Sequence, residues 1–132
     1  GELVLAVEFE LTPGDPAAIR EKRNSCLEYR RQTQPLAMPS SGSVFKNPSL
    51  LELAQSKIAT TEALSAGALL EKAGLKGKRR NGVGYSELHA NWLVRYGQSG
   101  KTADALSLLE EGISVVEDQF GIVLKPEMIV WD

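Results

Sequence analysis

Apolar and polar residues alternate with a period of two at the start of the chain. Leu3, Leu5, Val7, Phe9 and Leu11 fall on one side and Glu2, Val4, Ala6, Glu8 and Glu10 on the other, which predicts a strand. Thr12-Pro13-Gly14-Asp15-Pro16 reads as a turn into a helix, with Asp15 as N-cap and Pro16 at the first helical position, where its missing N–H costs nothing. That helix runs to about Gln32, with Ile19, Cys26, Leu27 and Tyr29 as an apolar stripe and Arg20, Lys22, Arg23, Arg30 and Arg31 on the polar side. The prolines and hydroxyls of Gln34 to Ser49 predict a long loop. Leu50 to Ala73 reads as helix in two pieces, broken near Thr60-Thr61 and closed by Gly74.

Lys72 to Gly84 forms a basic, glycine-rich connection, and Asn91 to Tyr96 has the β-favouring composition of a short strand. Gly97-Gln98-Ser99-Gly100 is a tight turn. Leu106, Leu109, Ile113, Val116 and Phe120 then recur at three- and four-residue steps, the pattern of an amphipathic helix that Gly121 closes. Ile122 to Val130 alternates again and predicts a final strand, with Pro126 marking an edge or a bulge. Strands at both ends and in the middle, with helices between, predict an α+β (mixed α/β) domain: a small sheet covered by helices.

Length and composition narrow this further. At 132 residues, 42% hydrophobic and 24% charged, the chain is one globular domain, not a disordered, collagenous or coiled-coil sequence. Fifteen basic against seventeen acidic residues leave a net charge of −2, so no global field draws it to nucleic acid or an anionic membrane. The single cysteine, Cys26, excludes an internal disulfide and a multi-thiolate metal site, and favours a reducing compartment. No apolar run approaches the ~18 residues of a membrane span, and no basic segment leads an apolar one at the N-terminus. A cytoplasmic location is the expectation. A Gly followed at once by a strand suggests a piece of a longer protein.

Several segments carry candidate chemistry. Ser99-Gly100-Lys101-Thr102 invites a phosphate-loop reading, but Arg95 stands where that pattern needs a glycine, so the segment reads as turn and helix start. Glu87 and His89 share a strand spacing, yet no second histidine exists and no metal site is expected. Lys76, Lys78, Arg79 and Arg80 lie among glycines without interleaved aromatics, as a solvated loop or a phosphodiester contact would. Gly42-Ser43-Val44-Phe45-Lys46-Asn47-Pro48 is the most specific segment, because it presents a hydroxyl, an ammonium and an amide beside a residue without a side chain. Ser43 has no His–Asp pair to activate it, so a hydroxyl that donates a proton fits better than one that attacks.

Five segments together resemble one family. Arg31-Gln32-Thr33-Gln34-Pro35, PSSGSVFKNP (Pro39 to Pro48), AGALLEKAGLKG (Ala66 to Gly77), YSELHAN (Tyr85 to Asn91) and FGIVLKPEM (Phe120 to Met128) resemble the C-terminal, substrate-binding domain of UDP-N-acetylenolpyruvoylglucosamine reductases. These are flavin enzymes that complete UDP-N-acetylmuramate for peptidoglycan. The resemblance implies that NADPH reduces FAD, and that a hydride then reaches the outer carbon of the enolpyruvyl double bond while charge builds on the substrate carboxylate. It implies Ser43 as the proton donor to the neighbouring carbon and Glu127 as its assistant. It implies Arg31, Lys46 and Asn47 as contacts to UDP-N-acetylglucosamine enolpyruvate, with Glu71, Lys76, Glu87, His89 and Asn91 framing the pocket.

The family's third catalytic residue, an arginine, belongs to a preceding flavin domain. The implied partner is therefore that missing domain. FAD and NADPH are expected in the full-length enzyme only, and this chain alone is expected to be inactive as a reductase. No nucleic acid, membrane or metal partner is expected. The connection Pro48 to Ser65 is longer than compact members of the family carry. The alternative is a non-catalytic nucleotide-sugar-binding or interaction module.

Overall fold

Asp15 opens the first element as its position predicts. In the computed structural model, which describes residues 3–130, its carboxylate accepts from the Ala17 and Ala18 amides at 3.0 and 3.4 Å. The helix α1 (Pro16–Thr33) that follows buries none of its residues and stands apart from the core. Four short strands form one antiparallel sheet: β1 (Ser40–Ser43), β2 (Arg79–Arg80), β3 (Val83–Tyr85) and β4 (Trp92–Arg95), in the order β1-β4-β3-β2. In the sheet centre Val83 pairs with Arg95, Gly84 with Val94 and Tyr85 with Leu93. Helices α2 (Leu50–Ala54), α3 (Ala66–Lys72) and α4 (Thr102–Phe120) complete the domain, with α4 packed on β2, β3 and α3. Phe45, Leu53, Leu69, Leu70, Tyr85, Leu108 and Val116 form the fully buried centre. This is the expected small sheet covered by helices.

Several elements differ from the expectation. The strand over residues 3–11 does not form among the described residues, and Glu2 lies outside them. Leu3, Val4, Leu5, Val7, Phe9 and Leu11 are 65–86% exposed, because an alternating segment needs a second strand to satisfy its backbone and none is adjacent. The final strand over 122–130 is reduced to a single bridge between Phe45 and Pro126, since proline offers no N–H to extend a ladder. Ile122 and Leu124 are nevertheless buried and Val123 exposed, as the alternation requires. The loop over 34–49 contains β1, and the connection over 72–84 contains the β2–β3 hairpin. That hairpin turns on Asn81-Gly82, a strong hairpin dipeptide, with Asn81 at φ +50°. The predicted helix over 50–73 breaks where expected, but only Leu50–Ala54 and Ala66–Lys72 are helical.

Tyr85 ties the sheet to α4. Its hydroxyl donates to the Leu108 carbonyl at 2.7 Å, and burial, with Glu111 adding to it, pushes the phenol well above its ordinary pKa. Room for that hydroxyl comes from Gly112, where a Cβ would lie 2.3 Å from the Tyr85 oxygen. In an open helix Gly→Ala stabilises by about 0.5–1 kcal/mol. Here overpacking of about 1–3 kcal/mol opposes it. Gly112→Ala is therefore expected to destabilise the domain by about 1–2 kcal/mol in urea unfolding. The same change in a Tyr85→Phe background should be neutral or stabilising. Equal destabilisation in both backgrounds would show that the hydroxyl is not what sets the glycine.

Candidate functional site

A bulge in β1 sets the position of Ser43. Ser40 pairs with Val94 and Ser43 with Trp92, so β1 carries one residue more than its partner over this stretch. Gly42 supplies the conformation at φ +89°, which a residue with a Cβ adopts only with strain. Ser40 pins the bulge: its hydroxyl donates to the Leu93 carbonyl at 2.7 Å and accepts from the Gly42 amide at 3.2 Å. Beyond it Val44 and Phe45 plunge into the core at 0% and 1% exposure, while Ser43, Lys46 and Asn47 are exposed on either side. Two buried residues thus anchor a loop whose polar groups face outward.

The C-terminal segment runs antiparallel to this loop. Lys46 N donates to the Lys125 carbonyl at 2.9 Å and Glu127 N to the Val44 carbonyl at 2.8 Å, flanking the Phe45–Pro126 bridge. Ser43 and Glu127, separated by most of the chain, are thereby brought onto neighbouring segments. The Glu127 side chain is exposed. Lys125 reaches back across α2, its ammonium 2.6 Å from Glu52, whose other oxygen accepts from the Ser49 amide at 2.7 Å. These bonds, Lys125 first and Ser49 next, hold the Glu52 carboxyl down at about 2.

Asn47 has a structural duty beside any contact to a ligand: its Oδ1 accepts from the Ala66 amide at 2.9 Å, at the first turn of α3. Lys46 and Asn47 line a cavity of about 240 Å³ with Pro48, Ser49, Glu52 and Lys125. Arg31 is not part of it. Sitting in the last turn of α1, 3.7 Å from Glu28, it lines a separate, mostly apolar cavity of about 560 Å³ with Pro35, Met38, Leu88 and Tyr96. The structure therefore brings Ser43, Lys46, Asn47 and Glu127 together on one loop and its neighbour, and leaves Arg31 apart.

The basic cluster is paired with acidic neighbours. Lys76 pairs with Glu71 and Arg79 with Glu87, each at 2.8 Å, Lys78 bonds Glu111, and Arg80 lies 3.7 Å from Glu111. Arg79 also stacks 3.8 Å from the centre of the Tyr96 ring. Each cation of the cluster thus has an acidic neighbour, and the stripe is a framework rather than an open phosphate site. Among the described residues no group of three metal-ligating side chains assembles, and no helix is long and apolar enough to cross a membrane.

His89 and Asn91 hold the turn beneath the loop. His89 Nδ1 accepts from the Asn91 amide at 3.2 Å, and its ring rests against Gly67, where a Cβ would meet Cε1 at 2.9 Å. Burial first, and Lys76 next, push the imidazole below its ordinary pKa, against a smaller opposing effect of Glu71. Asn91 is 4% exposed and bonds the Phe45 backbone through both ends of its amide, at 3.0 and 2.8 Å. The sequence placed Asn91 only in the frame of the pocket. Its contact with Phe45 spans 46 positions, and no local pattern announces it.

Known proteins resemble this chain in sequence and fold. Residues 34–131 match the family model described as UDP-N-acetylenolpyruvoylglucosamine reductase, C-terminal domain. A protein of Symbiobacterium thermophilum called UDP-N-acetylenolpyruvoylglucosamine reductase 2 is 40% identical over 129 residues, covering 98% of this chain and 37% of its own length. The reductase of Moorella thermoacetica is 38% identical over 128 residues, covering 97% of this chain and 38% of its own. This chain thus spans less than two fifths of the length of either relative. The crystal structure of the reductase from Thermus caldophilus superposes with a TM-score of 0.61 at 28% identity, over 89% of this chain and 36% of that one.

The neutral His89 predicts a pH dependence. Its folded pKa lies below the unfolded value of about 6.5, so its full contribution to stability is present above that pH and is lost as pH falls toward the folded pKa. The urea midpoint should decline as pH drops below about 6.5, and His89→Gln should flatten that decline. A wild-type midpoint that does not move between neutral pH and the carboxylate range would contradict a neutral, half-buried His89.

Proposed function

Because the chain belongs to the UDP-N-acetylenolpyruvoylglucosamine reductase C-terminal domain family, we propose that it supplies the substrate-binding and proton-donating half of such an enzyme. The reaction proposed for the full-length protein is reduction of UDP-N-acetylglucosamine enolpyruvate to UDP-N-acetylmuramate for peptidoglycan synthesis, in the cytoplasm. Reducing the enolpyruvyl double bond adds a hydride to one carbon and a proton to the other. Ser43 gives the proton, and Glu127, on the adjacent segment, assists. Lys46 and Asn47 meet the nucleotide sugar on the same loop, and Arg31 meets its UDP portion from the end of α1.

One observation carries this reading: an exposed serine with a glutamate on the next backbone segment, on a loop anchored by two buried residues. A proton donor must be held near the reacting carbon without strong competing bonds, and such a loop does that. A dinucleotide site of the doubly wound kind has an open glycine-rich turn at a helix start within a parallel sheet. Here the described sheet is antiparallel throughout, and the turn before α4 is closed by Gly82, where a Cβ would lie 2.3 Å from the Gly100 amide nitrogen. The described residues do not form a dinucleotide turn of that kind. The reading therefore assigns FAD and NADPH to a flavin domain outside this chain, and expects the chain alone to be inactive.

Residues 3–33 support a junction with that domain. They align with the relatives yet lie outside the C-terminal domain model, and their apolar side chains, from Leu3 to Leu11 and Ile19 in α1, are uncovered. The test is Ser43→Ala in the full-length protein. Turnover of the enolpyruvyl substrate should fall by about 100- to 10,000-fold, while NADPH oxidation coupled to flavin reduction in the absence of that substrate stays unchanged. Undiminished turnover would remove Ser43 from the chemistry.

A further inference from the structure

We propose that Asn91 is a positioning residue for proton delivery, its buried amide fixing the strand that carries Ser43 and aligns Glu127. The inference rests on the reading of Ser43 as proton donor and deepens it. Val44, Phe45 and Lys46 form an extended segment with two edges. On one edge Val44 O and Lys46 N bond Glu127 and Lys125. On the other, Phe45 N and Phe45 O have no strand beside them, because β4 begins only at Trp92 and the chain turns away at Ala90-Asn91. The Asn91 side chain stands in for the absent peptide group: Oδ1 accepts from Phe45 N at 3.0 Å, and Nδ2 donates to Phe45 O at 2.8 Å. Its backbone carbonyl accepts from Val44 N at 2.9 Å. Three hydrogen bonds from one residue thus hold the two positions that directly follow Ser43.

The chemistry of the amide matters as well as its size. Asparagine offers one acceptor and one donor side by side, matching a backbone C=O and N–H in reverse. An ionised aspartate keeps the shape but turns both ends into acceptors, setting a carboxylate oxygen against Phe45 O. Leucine keeps the bulk and satisfies neither end, leaving buried backbone groups unpaired. A protonated aspartic acid restores the acceptor and the donor.

The test uses the full-length enzyme with NADPH and UDP-N-acetylglucosamine enolpyruvate. Asn91→Leu should lower kcat by about 10- to 100-fold with KM nearly unchanged, and enlarge the solvent deuterium isotope effect on turnover as proton delivery becomes limiting. NADPH-dependent flavin reduction should stay at the wild-type rate. Asn91→Asp, divided by wild type at each pH, should regain turnover as pH falls through the carboxyl's pKa. That signature does not depend on whether the leucine variant folds. A flat ratio for Asn91→Asp, or a loss in Asn91→Leu confined to KM, would overturn the role. A wild-type enzyme that does not turn over this substrate would instead overturn the reading of Ser43 itself.

Discussion

The burial of Val44 and Phe45 is the constraint on which the rest of the site depends. These two side chains belong to the buried cluster that joins the sheet to α3 and α4, so the exposed residues on either side of them are carried as extensions of the core. A bulge at Gly42 presents Ser43 just before the chain dives inward, and Lys46 and Asn47 emerge just after. The extended segment between them is bonded on one edge by the C-terminal segment and on the other by Asn91. Functional groups on a loop gain the precision of a strand in this way, because the loop's middle residues are core residues.

Around that segment, charge organises neighbouring segments more than it attracts ligands. Lys125 and Glu52 join the C-terminal segment to α2, whose start is closed by the reciprocal bonds of Ser49 and Glu52. Asn47 holds the first turn of α3, so the loop also places the helix that packs beneath it. Across the sheet, Lys76, Lys78 and Arg79 each bond an acidic partner, with Arg80 beside Glu111. Such exposed pairs contribute little individually, about 0–1 kcal/mol. Their larger effect is to give the cations of the hairpin and its flank acidic partners within the domain.

Much of the fold was legible because its signals are local. The Asp15-Pro16 start of α1, the break near Thr60 and the amphipathic face of α4 follow from capping chemistry and periodicity, and the structure bears them out. The strands β1, β2 and β3 escaped because they are two to four residues long, too short for a period of two to register. Asn81-Gly82 was the one available clue to the hairpin. Residues 3–11 carry the clearest alternation in the chain and form no strand, since a strand exists only beside another. At the site, the Ser43 to Asn47 segment was legible through its motif. The capping role of Asn47 and the clamp of Asn91 were not, as both bonds join residues 19 and 46 positions apart.

The most direct measurement is native-state amide hydrogen exchange on this chain. If core packing, the C-terminal segment and Asn91 together hold the loop, the Val44, Phe45, Lys46 and Glu127 amides should exchange with protection close to that of buried positions in α4, although Lys46 and Glu127 lie at the surface. Exchange of these four amides at the rate of an exposed loop would contradict a site preformed by the domain itself.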